Sequence, residues 1–183
     1  FPGNVERQEV VTGPTRHALW LDLEGDGDGD LALADRKNVV RILRNDQGTF
    51  VELAGVPVSF GGGFRLAAGD LDRDGDPDLV ACSRGVKRRQ GLGGCVVLLN
   101  DVRNASGPAF TLRRFAPDVL PPTPSLVPLL VDPDGDGDLD ILLFSAKKNA
   151  GTFVRNDLDG ATLAFARGNA ATLATATSVA DAA

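Results

Sequence analysis

Three short stretches of this chain carry acidic side chains at alternate positions, and all three have the same spacing. They span residues 22–30, 70–78 and 132–140, with an acid at positions 1, 3, 5, 7 and 9 of each. Like charges at this density repel one another unless a cation lies among them. Oxygen ligands in this number suit Ca²⁺, which takes about six to eight of them, better than Mg²⁺, which keeps several waters. The predicted ligands of three calcium sites are Asp22, Glu24, Asp26, Asp28, Asp30, Asp70, Asp72, Asp74, Asp76, Asp78, Asp132, Asp134, Asp136, Asp138 and Asp140.

The spacing assigns a role to each position of these acidic loops. Side chains at positions 1, 3 and 5 can surround one point, and the glycine at position 6 of every loop permits a sharp turn. Position 7 commonly offers its backbone carbonyl. We therefore expect Asp28, Asp76 and Asp138 to contribute main chain rather than carboxylate.

The acidic loops are not EF-hands. An EF-hand requires a glutamate at position 12, where this chain has Leu33, Ala81 and Leu143. The closing acid lies at position 9 instead. Apolar runs of strand length follow at once, which predicts loops between strands and not between helices. A solvated acidic turn without metal remains the alternative.

The charge balance points to the same chemistry. The three loops hold 15 of the 25 acidic residues, which leaves 10 acids against 19 Lys and Arg. Three Ca²⁺ ions would offset the net charge of −6. The acidity therefore does not indicate a basic partner. The basic run 87–89 lacks interleaved aromatics, which disfavours nucleic-acid binding, and the chain has no apolar run long enough for membrane insertion.

Two cysteines and one sequon bear on the cellular compartment. Cys82 ends one apolar run and Cys95 begins the next, so a hairpin would let the two sulfurs meet in a disulfide, whereas two free buried thiols are the alternative. Loops of this kind are useful where Ca²⁺ is millimolar, which favours a secreted or cell-surface protein. Asn104 begins an Asn-Ala-Ser triplet on a predicted loop and is a candidate glycosylation site.

The loops recur within longer repeats of four short strands. From the first loop residue to an Asn-Asp turn the three repeats count 23, 30 and 24 residues, and the longest one carries an insertion between its cysteines. Repeats of about 50 residues with four strands predict an all-β fold of antiparallel β-propeller blades. The predicted divisions are an N-terminal segment (1–16), three blades (17–64, 65–125 with a proline-rich connector, and 126–167) and an Ala/Thr-rich tail (168–183).

The pattern resembles a known repeat family. A strand, then Asp-x-Asp-x-Asp-Gly-x-x-Asp-Leu, then a strand and the turn Asn-Asp-x-Gly-Thr-Phe at 45–50 is similar to the FG-GAP/VCBS repeat, whose best-known bearer is the integrin α-chain propeller. The integrin form has Gly-Ala-Pro after the loop, which is absent here, so the chain looks more like the VCBS branch of secreted and surface proteins. The resemblance implies Ca²⁺ held by side chains at positions 1, 3, 5 and 9 and by the position 7 carbonyl.

The three visible blades are fewer than a closed propeller needs. Propellers usually close with about four to eight blades, and three are visible. Either the chain is part of a larger propeller or its blade edges pair with another copy. In the second case residues 9–12 and the Ala/Thr-rich tail are candidate strands for exchange.

The leading functional hypothesis is a noncatalytic, extracellular calcium-binding module with a structural, adhesion or assembly role, filament formation included. Its partners would be further copies or extracellular proteins and carbohydrates. The alternatives are the scaffold of a secreted polysaccharide-active enzyme such as a lyase, and a carbohydrate- or protein-binding propeller. The chain has no Tyr and one His, His17, which we expect on the surface or in packing just before a strand. We expect the strand aromatics in the core: Trp20, Phe50, Phe110 and Phe153.

Overall fold

The computed structural model describes residues 13–58, 64–83, 94–103, 110–116, 119–120, 126–145, 150–158 and 163–168. All regular secondary structure in these residues is β-strand: β1 (Thr15–Leu21), β2 (Asp30–Asp35), β3 (Val39–Asp46), β4 (Thr49–Pro57), β5 (Phe64–Gly69), β6 (Asp78–Ser83), β7 (Cys95–Asn100), β8 (Phe110–Arg114), β9 (Leu126–Val131), β10 (Asp140–Ser145), β11 (Ala150–Asn156) and β12 (Phe165–Arg167). Within this part of the chain no helix is long and apolar enough to cross a membrane.

The twelve strands form three sheets of four. The first contains β1–β4, the second β5–β8 and the third β9–β12, and each keeps its strands in chain order. Every neighbouring pair is antiparallel. The prediction of an all-β fold with three propeller-type blades is therefore confirmed, and the three sheets do not close into a ring. In every sheet an acidic loop joins the first strand to the second.

Strand ends differ from the predictions by a few residues. β3 runs through the predicted Asn-Asp turn, so that only Gln47 and Gly48 connect it to β4. Both residues have positive φ, 51° and 94°, the backbone form of a two-residue hairpin turn whose twist matches the flanking strands. The last strand is shorter than predicted, beginning at Phe165 instead of residue 162, which lies outside the described residues.

Two apolar cores hold the three sheets together. Alternate residues of a strand point to opposite faces, so a sheet between two others must be apolar on both. One face of the second sheet, with Leu79 and Leu98, packs against the first sheet. The other face, with Val80 and Val97, packs against the third. The strands β1, β5 and β9 lie side by side, which places the three acidic loops at the same end of the molecule.

Cys82 and Cys95 form a disulfide that joins β6 to β7. The two residues are direct partners in the antiparallel register, with Cα atoms 4.1 Å apart. Both are buried, in the core between the second and third sheets. The hairpin expected from their position at facing strand ends therefore brings the sulfurs together, and the alternative of two free thiols does not hold.

The expectation for the aromatics is wrong for Trp20, which is 64% exposed. It points away from the second sheet, and no described sheet packs on that side of β1. Phe153 is buried as expected, while Phe50 and Phe110 are half-buried. Several other predictions lie outside the described residues: the strand at 9–12, the glycosylation site at Asn104, most of the proline-rich connector and the Ala/Thr-rich tail.

Candidate metal centres

The acid at position 9 closes each loop through backbone hydrogen bonds. Asp78 is fully buried; its Oδ2 accepts from Leu71 N at 2.9 Å and its Oδ1 from Asn100 N at 2.9 Å. Asp30 makes the same pair of bonds in the first sheet. One carboxylate therefore ties the start of the loop to the end of the third strand. The sequence predicts position 9 as a ligand, and the structure gives it this second, structural task.

The third loop departs from this arrangement because its position 2 is a proline. Asp140 Oδ1 accepts from Asn156 N at 2.7 Å, as in the other two sheets. Pro133 stands where Leu71 stands in the second loop, and proline has no N–H to donate. Asp140 Oδ2 is consequently buried and has no hydrogen-bond partner. A buried oxygen in that state is costly unless a cation or another donor reaches it.

The acids at positions 1 and 5 shape the turn. In all three loops the position 1 carboxylate accepts from the glycine N–H at position 6, at 3.0 Å each time. The position 5 carboxylate accepts from the N–H at position 7, at 2.8 to 3.0 Å. The position 6 glycines have φ of 89° to 94°, a left-handed conformation that side chains with a Cβ rarely adopt. Loop geometry is thus specified by acids and glycines together.

The second and third loops bring three carboxylates to one point. Ligand oxygens of Asp70, Asp72 and Asp78 lie within 4.8 Å of one another, and so do three in the third loop, from positions 1, 3 and 5. The first loop holds no such trio, although its residues are all described. The predicted positions 1, 3, 5 and 9 are all represented in these two clusters.

One acid in each loop has a pKa well above the usual range for a carboxyl group. Burial, opposed by the bond from Asn156 and reinforced by the neighbouring carboxylates of its loop, raises the pKa of Asp140 to about 7. Burial likewise raises the pKa of Asp78 to about 7 and that of Glu24 to about 7. A cation among these carboxylates would favour their charged forms and reverse the shifts.

One protein-family model matches part of the chain. Residues 22–81, from the start of the first acidic loop through the second, match a family model described as an FG-GAP-like repeat. Residues 22–81 carry an FG-GAP-like repeat. No curated protein and no solved structure gave a significant match. The narrower expectation of a VCBS rather than an integrin form stays a prediction.

Arginines link each acidic loop to the next. Arg103, just after β7, donates through Nε to Glu24 O of the first loop at 2.8 Å and lies 2.7 Å from Asp76 Oδ1 of the second. Arg73, at position 4 of the second loop, donates to Gly137 O of the third loop at 3.2 Å and pairs with the carboxylate of Asp138. The carboxylates of two of the three position 7 residues thus pair with arginines. From the sequence we expected only their backbone carbonyls to take part, as metal ligands.

Buried asparagines provide a second link between repeats. Asn100 Nδ2 donates to Leu23 O, at position 2 of the preceding loop, at 3.0 Å. Asn156 Nδ2 makes the equivalent bond to Leu71 O at 2.8 Å. Both asparagines belong to the Asn-Asp turns. The sequence indicated a turn there but not this role, because their partners lie 77 and 85 residues away.

His17 connects the first two sheets from within β1, not from before a strand as expected. Its Nδ1 accepts from Leu66 N at 3.1 Å, which requires that nitrogen to be unprotonated. Partial burial lowers the pKa of His17, and the nearby charge of Arg65 lowers it further.

We expect acid to weaken this connection. The folded-state pKa lies below the unfolded value, so the unfolded chain binds more protons and the contribution is lost as pH falls from about 7.5 to 5.5. A His17→Asn variant keeps an acceptor that does not titrate. Urea unfolding of both proteins at the two pH values should show the parent losing more stability, by up to about 1 kcal/mol, the worth of one hydrogen bond. Equal losses would assign the pH dependence to other groups.

Proposed function

We propose that the chain is a noncatalytic, calcium-stabilised module of propeller-type blades. The observation that carries this proposal is the convergence of three carboxylates within 4.8 Å in the second loop and again in the third. Charge of this density needs a counter-ion, and carboxylate oxygens in a flexible loop are the ligands that Ca²⁺ prefers. The matching geometry of position 1 and position 5 acids in the first loop extends the proposal to three sites.

Buried oxygens without partners support the fit to a cation. Among the described residues, each acidic loop has at least one carboxylate oxygen that is buried and accepts no hydrogen bond. They are Glu24 Oε2 and Asp28 Oδ1 in the first loop, Asp70 Oδ1 in the second and Asp140 Oδ2 in the third, besides Asp76 Oδ1 and Asp138 Oδ1, which lie beside arginines. Since most buried polar atoms in proteins are satisfied, their concentration in the three loops favours a metal as the missing partner.

Each position of the acidic loops would have its own role in binding the ion. Acids at positions 1, 3 and 5 hold the ion, and the position 9 acid ties the loop to the third strand. Bound Ca²⁺ neutralises the cluster and couples metal binding to folding. The arginines at the repeat junctions offset the charge that remains on the position 7 acids. His17 is already occupied as an acceptor between two sheets, which supports a noncatalytic assignment.

The setting we propose is extracellular, with a role in adhesion or assembly. The buried disulfide between β6 and β7 is compatible with an oxidising compartment. Sites of this type are filled where free Ca²⁺ is millimolar.

Calorimetric titration of the metal-free chain tests the calcium proposal. At pH 7.5 we expect Ca²⁺ to bind with three equivalents and Mg²⁺ to bind far more weakly. Asp136→Ala, which removes a position 5 ligand, should reduce the number of sites to two. Asp46→Ala is the matched control, because Asp46 is an exposed acid beside the first loop that pairs with Arg44 and not with the cluster. Absence of calcium binding at millimolar concentration would overturn the proposal.

A further inference from the structure

Arg73, at position 4 of the second acidic loop, has a left-handed backbone conformation. Its φ is 60°, close to the 72° and 75° of the residues at the same position in the other two loops, Gly25 and Gly135. Glycine adopts this conformation without steric cost, whereas a residue with a Cβ adopts it at a cost in backbone strain. The second loop therefore carries an unfavourable residue where its two counterparts carry the favourable one.

The side chain of Arg73 crosses the junction to the third loop and holds three consecutive residues there. Its Nε donates to Gly137 O at 3.2 Å and its Nη2 donates to Asp136 O at 3.2 Å. The same Nη2 lies 2.8 Å from Asp138 Oδ1. Gly137 leaves room for this approach, because a Cβ there would collide with the guanidinium. A planar guanidinium holds several acceptors in one fixed arrangement, so the position of Arg73 fixes this part of the third loop.

The three contacts fall where the proposed third calcium site needs support. Asp136 offers its carboxylate to the ion, and Asp138 is expected to offer its backbone carbonyl. Arg73 takes the backbone oxygen of Asp136 and leaves its carboxylate for the ion. The third loop also receives less support from its own sheet than the second does, because Pro133 has no N–H to donate to Asp140 Oδ2. Part of what holds this loop therefore comes from the loop before it.

We propose that Arg73 couples the second and third calcium sites, so that filling either one raises the affinity of the other. This inference rests on the proposed calcium function of the loops. Asp72 and Asp74 flank Arg73 in the chain, so holding an ion orders the backbone from which its side chain extends. A loop that is already ordered loses less conformational entropy when its own ion binds. Coupling of this kind is reciprocal and commonly amounts to about 5- to 150-fold in affinity.

The charge of Arg73 on its own would have the opposite effect. A guanidinium beside a cation site repels the cation, so its removal would raise the calcium affinity of the third loop. The sign of the change therefore separates a positional role from an electrostatic one. Arg155 provides the matched control. Its Nε lies 3.9 Å from Asp134 Oδ2 of the third loop, but it belongs to β11 of the same sheet and pairs with Asp157.

Calcium titration followed by amide NMR tests the coupling, with CaCl2 as the probe. The position 6 glycines report on their own loops, because each N–H donates to the position 1 carboxylate: Gly27, Gly75 and Gly137. Arg73→Gly gives the second loop the residue that the other two have at position 4, so the loop keeps its fold. The third-site Kd, followed at Gly137, should rise at least about 5-fold although a positive charge is lost. Arg155→Gln loses the same charge and should lower this Kd or leave it unchanged.

A double-mutant cycle separates coupling from static support of the third loop. Asp74→Ala removes the second site and should weaken calcium binding at Gly137 by about 5-fold or more. Added to Arg73→Gly, it should have no further effect there. An unchanged midpoint at Gly137 in either single variant would overturn the coupling and leave the calcium sites standing. Glycine amides that do not respond to millimolar CaCl2 in the parent would overturn the calcium proposal and the coupling with it.

Discussion

Calcium should raise the melting temperature of this chain by more than 10 °C over its value in EDTA. A ligand that binds only the folded state stabilises it by about 2.7 kcal/mol per site when free ligand is a hundredfold above Kd. Three such sites would contribute about 8 kcal/mol. In a chain of this length about 1 kcal/mol shifts the midpoint by about 2–4 °C. Circular dichroism melts in millimolar CaCl2 and in EDTA measure the difference directly.

A variant that lacks one metal ligand in each loop provides the control for this melt. Replacing the position 5 acids together, as Asp26→Ala, Asp74→Ala and Asp136→Ala, removes one ligand from each loop but no residue of either core. Its melting temperature should be nearly the same in calcium and in EDTA. If the parent itself melted at one temperature in both buffers, the carboxylate clusters would not be calcium sites that support the fold.

Replacing Asp78 of the second loop should mainly lower the stability of the fold, whereas replacing Asp74 should mainly remove a calcium site. Asp78 is fully buried and accepts two backbone N–H bonds, whereas Asp74 is exposed. Each buried N–H that loses its acceptor costs about 1–3 kcal/mol. Asp78→Ala should therefore lower the free energy of unfolding by about 2–6 kcal/mol in EDTA at pH 6, where the raised pKa of Asp78 keeps the side chain mostly protonated and no buried charge is removed with it. Asp74→Ala should change it by less than about 1 kcal/mol, yet reduce the calcium sites from three to two.

Denaturant unfolding in EDTA at pH 6, where Asp78 is mostly protonated, measures the first effect, and calorimetric titration at pH 7.5 measures the second. Asp78→Asn keeps one acceptor oxygen and should lie between the parent and Asp78→Ala. Equal losses of stability for Asp74→Ala and Asp78→Ala would show that position 9 has no separate structural task.

Local sequence pattern was sufficient to predict the blades. The apolar run after each loop alternates between two buried faces, and a loop rich in acid and glycine precedes it, so β2, β6 and β10 could be located within one or two residues. The facing positions of Cys82 and Cys95 likewise follow from a single hairpin. Such features depend on residues close in the chain, where spacing determines geometry.

Contacts between repeats could not be predicted in the same way. Arg103 and its acceptor Glu24 O are 79 residues apart, and nothing in the sequence near either marks the partner. The exposure of Trp20 could not be predicted either, because it depends on what packs against that side of β1 and not on β1 itself. The double use of the position 9 acids was also missed, because a carboxylate that binds metal and one that accepts N–H bonds look alike in sequence.

The two bridging arginines have a consequence for how the chain tolerates change. Both Arg73 and Arg103 belong to the second repeat, and one reaches forward while the other reaches back. The middle blade therefore carries the arginine of both junctions. Replacing Arg103 would loosen the junction with the first blade and replacing Arg73 the junction with the third, so changes in this one blade can separate either neighbour.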